Sequence, residues 1–317
     1  MTGQGARAIG IDLGGTNLRG AVVDADGALL AEARGPAPAG WPALRDAMAA
    51  LVGELRVAVP QVVGVGVGAA GMVDHEGTVR YSPNVHAFAD TPVGRDLAAA
   101  TGLPVEVDND ANVAALAEAR VGAARGCAHA MVITLGTGIG GGLVIDGRVL
   151  RGAHGFAAEV GHFQVDPAGP ICACGERGHW EALASGNALG ARGREAAGSG
   201  GAPVILERAG SLEAVRGEHV AAAAADGDPA ALAILDDFAE AVAIGLVGLT
   251  NILDPERIVI SGGLVALGDL LLDPVRRHFT GHLEGAAHRA DVEIVAATLG
   301  TRAGVIGAGL LALDAPR

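Results

Sequence analysis

Two glycine turns, each flanked on both sides by apolar β-type segments, constrain this chain more tightly than anything else in it. The first is Asp-Leu-Gly-Gly-Thr-Asn at 12–17, between segments 8–13 and 18–23; the second is Leu-Gly-Thr-Gly-Ile-Gly-Gly-Gly at 135–142, between 130–135 and 142–145. A turn without β-carbons lets main-chain N–H groups close on a phosphate, and the threonine adds a hydroxyl donor. Neither turn leads from strand into helix, so neither is a dinucleotide-binding fingerprint. After the first turn the periodicity predicts a strand at 29–34, an apolar-striped helix at 41–57, a buried strand at 62–67, a helix closing at 97–101, a short strand at 105–107 and an alanine-rich helix at 112–121. A strand at 148–150 follows the second turn and starts the same order again. Two copies of one βββαβα plan make an α/β protein. With 317 residues, half of them apolar, the chain can build two lobes with a core each.

Beyond residue 181 the chain reads as mainly helical. The pattern gives a helix at 182–197, a glycine-rich loop at 198–203, a long striped helix at 229–253 stopped by Asp254 and Pro255, a strand at 257–260, Ser-Gly-Gly at 261–263 and an apolar helix at 303–313. The expected division is a first lobe of residues 1–120, with the helix within 303–317 packed back on it, and a second lobe of 121–302. All 22 basic residues are arginine, against 36 acidic ones. The lack of lysine removes the P-loop lysine, Schiff-base chemistry and pyridoxal attachment together. A net charge of −14 argues against nucleic acid or an anionic membrane as the partner. The start has no basic region followed by an apolar run, and the uncharged stretch 128–145 is broken by glycine and threonine, so no secretory signal and no membrane span are expected. Cys127, Cys172 and Cys174 make a poor disulfide framework, which fits a reducing cytoplasm.

Asp12 ends the first strand beside its turn, where it could hold a magnesium ion through water. Asp108, Asn109 and Asp110 stand between a short strand and a helix. They read either as helix caps or as the carrier of a general-base carboxylate. The densest signal is Glu-Val-Gly-His at 159–162 followed by Cys172, Cys174, His179 and Glu181. With Gly175 and Gly178 to bend the chain, His162, Cys172, Cys174 and His179 match the ligand set of a tetrahedral structural zinc. His75, His129, His219 and His288 are isolated and read as surface or satisfied residues.

Together with Gly-Ala-Ala-Gly-Met-Val-Asp at 68–74, Ser-Pro-Asn at 82–84, Asn-Asp-Ala-Asn at 109–112, Asp-Pro-Glu at 254–256 and Ser-Gly-Gly at 261–263, these motifs resemble, in order and along nearly the whole chain, the ROK family of sugar kinases and sugar-responsive repressors. The resemblance implies the two-lobed actin-like ATPase fold, ribonuclease H-like and hexokinase-like, with duplicated βββαβα halves and a cleft between the lobes. It implies ATP-dependent phosphorylation of a hexose at its 6-hydroxyl, glucose first among acceptors, with Asp110 as the base. Gly71, Asn84, Asn109, Asp110, Glu159, His162 and Glu181 then resemble the sugar contacts. Asp12, Gly14, Gly15, Thr16, Asn17, Thr137, Gly138, Gly262 and Gly263 resemble the contacts to ATP and its Mg2+. Zn2+ is implied at the His–Cys segment, and a homodimer or homotetramer is implied for the assembly. The chain departs from the family pattern at His179, usually a third zinc cysteine, at Asn17, often lysine, and at Phe88, often tryptophan in glucose-specific members. Other acceptors that the resemblance allows are N-acetylglucosamine, N-acetylmannosamine, fructose, an amino sugar or a cyclitol. A repressor would need a DNA-binding domain ahead of the first turn, and eleven residues precede Asp12.

Overall fold

The computed structural model describes residues 5–14, 17–82 and 88–315. The first half opens with a meander, β1 (Arg7–Leu13), β2 (Asn17–Asp24) and β3 (Leu29–Pro36), followed by α1 (Trp41–Ala58) and β4 (Val65–Ala69). A small antiparallel sheet is inserted next, made of β5 (Met72–Val73), β6 (Val79–Tyr81) and β7 (Ala89–Thr91). Then come α2 (Val93–Thr101), β8 (Val105–Asn109) and α3 (Asp110–Val121). The second half repeats the plan with β9 (Ala130–Leu135), β10 (Ile139–Ile145) and β11 (Arg148–Val149). Four helices are inserted after it: α4 (Trp180–Ala184), α5 (Gly186–Gly198), α6 (Pro203–Ala209) and α7 (Gly217–Ala225). It closes with α8 (Pro229–Leu253), β12 (Arg257–Ser261), α9 (Asp269–His282), β13 (Glu293–Ala296) and α10 (Ala303–Asp314).

The strand orders, β3-β2-β1-β4-β8 and β11-β10-β9-β12-β13, are the same topology twice. Helices α1, α2 and α3 follow the third, fourth and fifth strands of one sheet as α8, α9 and α10 do in the other. The chain forms two compact units. The first takes the described residues within Met1–Val132, Gly142–Ala158 and Thr298–Arg317, and the second Ile133–Gly141 and Glu159–Ala297. The last helix counts with the first unit, and the bounds differ from a division at 120/121 in that residues up to Val132 and Gly142–Ala158 count with it as well.

In the first unit, α1 buries Leu44, Met48, Leu51, Val52 and Leu55, a stripe at helical spacing. Each such side chain is worth about 1.5–3 kcal/mol when fully buried. Helix α10 covers β1 and β4 at backbone distance. A β-carbon at Gly10 would overlap the carbonyl oxygen of Val305, and one at Gly66 that of Ala308. Glycine at these strand positions is therefore a packing requirement. The buried carboxylate of Glu118 on α3 accepts the main-chain N–H groups of Ala123 at 2.7 Å and Leu299 at 3.0 Å, fixing the approach to α10. Phe88 is a core residue here, 2% exposed, with its ring 5.9 Å from that of Trp41.

The region after 181 departs from the sequence pattern in three places. A single helix at 182–197 is instead α4 and α5, divided at Ser185, whose side chain accepts the amide of Ala188 and caps α5. Helices α6 and α7 occupy ground that alanine and glycine left without a readable stripe. Helix α9 runs through Pro274, a residue that reads as a breaker, yet it buries Leu271, Leu272, Val275 and Phe279 at helical spacing. Among the described residues, no helix is long and apolar enough to cross a membrane.

Candidate functional site

The first unit gathers its carboxylates at the carboxyl ends of parallel strands, where open α/β sheets bind ligands. Register sets Asp12, Gly68 and Asp108 in one row across β1, β4 and β8, and Leu13, Ala69 and Asn109 in the next. The three residues 108–110 divide the labour. Asp108 is buried and fully engaged: its carboxylate takes Arg151 Nε at 2.7 Å and Asn112 Nδ2 at 2.9 Å. Asn109 is the cap of α3, its Oδ1 accepting the amides of Ala111 at 2.8 Å and Asn112 at 3.2 Å, while its Nδ2 donates to Gly71 O at 3.0 Å. Gly71 has φ 117°, and a β-carbon there would overlap Tyr81 O, so only glycine presents this carbonyl.

Asp110, the first residue of α3, keeps its side chain open to solvent while protein crowds the surrounding space. That low-polarity surrounding pushes its carboxyl above the ordinary carboxylate range, opposed by the amide of Ala111 at 2.9 Å. Asp12 is half-buried, and its pKa is pushed up to about 6, first by burial and then by the negative charge of Asp110, against the pull of Arg19. Two neighbouring carboxylates whose charge Arg19 does not offset have the donor chemistry of a divalent-cation site. Gly14 closes the first turn by donating its amide to Asn17 O at 3.0 Å; Gly15, Thr16 and Asn84 lie outside the described residues.

In the second unit, the glycine turn narrows to Gly136–Gly138, because β10 already begins at Ile139. Gly136 O accepts the amide of Gly186, which joins the turn to the start of α5. Gly262 has φ 89° and lies against the carbonyl of Leu135, where a β-carbon would not fit. Beside these turns is a cavity of about 520 Å³, lined at one end by Gly136, Thr137 and Gly263 and at the other by residues of α5 and α7. Thr137 and Gly263 were expected there, with Gly138 and Gly262 as their chain neighbours. Asn187, Arg194, Arg216 and Glu218 were not expected. Their signal was the glycines at 186, 190 and 217: a β-carbon at Gly190 would lie 2.9 Å from Gly217 N, so α5 and α7 meet backbone to backbone.

The His–Cys segment folds as a tight antiparallel loop bridged at Gln164–His179 and Ile171–Arg177. Its four ligand atoms, from His162, Cys172, Cys174 and His179, all lie within 4.8 Å of one another. Cys174 Sγ is 3.2 Å from His179 Nδ1, and Cys172 Sγ is 3.8 Å from His162 Nδ1. Two thiols and two imidazoles so gathered fit a zinc ion. The loop is anchored by Trp180, which is fully buried and donates Nε1–H to Ala241 O at 2.9 Å on α8. Glu159 immediately precedes the short turn Val160–His162. Glu181 has a second task, accepting the amide of Ile139 with Oε2.

These features, a duplicated α/β core with glycine turns and strand-end carboxylates, are those of a phosphotransferase of the actin-like ATPase class. Residues 8–315 match the ROK family, and the chain belongs to it. It is 40% identical over 310 residues to a glucokinase of Streptomyces coelicolor, covering 96% of this chain and 97% of that one. It is 36% identical over 312 residues to a glucokinase of Thermotoga maritima, covering 95% of each. A crystal structure of a ROK family glucokinase from Streptomyces griseus in complex with glucose and AMPPNP superposes with a TM-score of 0.86 at 38% identity, covering 98% of this chain and 100% of that one.

Proposed function

We propose that this protein is an ATP-dependent hexokinase that phosphorylates glucose at its 6-hydroxyl. The observation that carries the reading is that a chain 38% identical to an enzyme holding glucose and AMPPNP has in its first unit Asp110, an open carboxylate in crowded surroundings, and in its second unit a glycine-lined cavity. Asp110 accepts the proton of the 6-hydroxyl as that oxygen forms its bond to the γ-phosphorus of ATP and the bond to the β-phosphate oxygen breaks, releasing ADP. A raised pKa makes the ionised carboxylate a stronger base for the hydroxyl proton. Asn109, pinned by Gly71 O and the α3 amides, has one amide hydrogen left for a sugar hydroxyl.

Gly71, Asn84, Asn109, Asp110, Glu159, His162 and Glu181 are the proposed sugar contacts. Asp12, Gly14, Gly15, Thr16, Asn17, Thr137, Gly138, Gly262 and Gly263 are the proposed contacts to the nucleotide and its metal. Magnesium held through Asp12 would neutralise phosphate charge, and zinc on His162, Cys172, Cys174 and His179 would fix the loop that carries His162. Cys127, Cys172 and Cys174 form no disulfide, which supports a reducing cytoplasm as the site of action. Ile244 and Ile252, 44% and 78% exposed on one face of α8, support a homodimer or a dimer of dimers, checked by light scattering. The test of function is ADP release over a panel of sugars. Glucose should give the highest kcat/KM, and a higher value for N-acetylmannosamine or fructose would reassign the acceptor.

A further inference from the structure

Helices α8 and α9 carry a second set of ligand groups, outside everything the kinase reading uses. His278 and His282 are one turn apart on α9, so their imidazoles share a helix face. The rings lie nearly parallel, 15° between planes, with centroids 6.4 Å apart. Opposite them on α8 stand Asp236 and Glu240, at the same spacing. Glu240 Oε1 is 3.0 Å from His282 Nε2, and Asp236 Oδ1 is 3.4 Å from His278 Nε2. Asp236 is also paired with Arg277. One ligand atom each from Glu240, His278 and His282 fall within 4.8 Å of one another.

Two simpler accounts leave this arrangement unexplained. An imidazole in the last turn of a helix serves the helix dipole, which covers His282 but not His278. A histidine–carboxylate pair with both side chains more than 40% exposed, as in His282 and Glu240, is worth little to stability. We propose that Glu240, His278 and His282 form a binding site for a divalent transition-metal ion, with Zn2+, Co2+ and Ni2+ as the ions of matching chemistry. Two imidazoles and one carboxylate suit these borderline ions, whereas magnesium and calcium take all-oxygen sets. Three protein ligands leave a coordination position to water, as in open zinc sites. Arg277 holds Asp236, so Glu240 is the carboxylate free to ligate, and Asp236 stays beside His278 as an outer partner. Because the imidazoles come from α9 and the carboxylate from α8, a bound ion pins one helix to the other.

The test is a Co2+ titration of the full chain. The two thiolates at Cys172 and Cys174 give sulfur-to-cobalt absorption, and the site on α8 and α9, having nitrogen and oxygen ligands alone, does not. A further equivalent of Co2+ should therefore bind without that absorption and persist in Cys172→Ser. Loss of one imidazole, in His278→Ala or His282→Ala, should weaken this equivalent by about 100-fold or more, and Glu240→Gln by at least about tenfold. As a check that does not depend on the alanine variants folding as wild type, added Zn2+ should raise the Tm of Cys172→Ser, and the rise should shrink once Glu240→Gln is combined with it. A wild-type chain that takes up no sulfur-free equivalent, or one that survives both histidine variants, overturns the proposal.

Discussion

Glu181 accepts the main-chain N–H of Ile139 at 2.8 Å, and its other carboxylate oxygen lies 3.7 Å from the thiol of Cys172. One side chain thus ties the exit of the glycine turn to the His–Cys loop. Replacing it by alanine removes a charge-assisted hydrogen bond, so KM for ATP should rise about tenfold, alongside a rise in KM for the sugar. Steady-state kinetics with each substrate varied in turn checks this, and a change confined to the sugar would mean that the turn holds its shape unaided.

Asp110→Asn keeps the shape of the side chain and removes the base. Turnover should fall by about 10²- to 10⁴-fold, with sugar binding still measurable by calorimetry. Undiminished kcat would return Asp110 to a purely structural place at the start of α3.

The raised carboxylates set the pH response. Asp110 works only when unprotonated, so kcat/KM should rise with pH along a limb lying above the ordinary aspartate range. Stability runs the other way. Asp12 holds its proton more tightly when folded, so its contribution is fully present below pH 3.8 and is lost as pH rises to about 6. Asp12→Asn should therefore be more stable than wild type at neutral pH, by about 1–2 kcal/mol after allowance for solvent, and no more stable in acid. Thermal melts across that interval read the difference directly.

Gly245 on α8 gives Trp180 its place, since a β-carbon there would overlap the indole ring. Gly245→Ala should cost about 1–3 kcal/mol through overpacking, and it should lower zinc retention because Trp180 anchors the loop bearing His179. Melting curves and metal analysis of the purified variant measure the two effects.

With zinc at the His–Cys loop as proposed, chelation should raise KM for the sugar before the protein unfolds, since the loop that carries His162 would loosen first. Metal content and KM followed in parallel during dialysis against chelator test the order of events.

The duplicated sheets were legible in the sequence because their signals are local: glycine turns between apolar runs, and helices with clear stripes such as Leu44 to Leu55. The clustering of His162, Cys172, Cys174 and His179 was legible for the same reason, since they lie within a short stretch of chain. What could not be read depends on distant partners. Asn109, Asp108 and Asp110 are interchangeable as letters, and only Arg151, Asn112 and Gly71 distinguish support, cap and open carboxylate. The far wall of the cavity comes from α5 and α7, whose glycines show their purpose only where the two backbones meet. His278 and His282 lie on a helix hidden by Pro274, and their carboxylate partners stand on another helix.

The seat of α10 on β1 and β4 has a consequence for how the protein comes into being. During synthesis the first sheet emerges long before the helix that covers it, and Gly10 and Gly66 leave on that face a shallow trough fitted to a backbone not yet made. Until residues 303–314 have been made, Ala8, Ala21 and Val23, which share that face with Gly10, stay uncovered, so the nascent chain carries an unfinished interior for that long. The site carboxylates Asp12 and Asp110 belong to that same unit. Catalytic competence should therefore arise in one late step, when α10 docks, and not by gradual assembly along the chain.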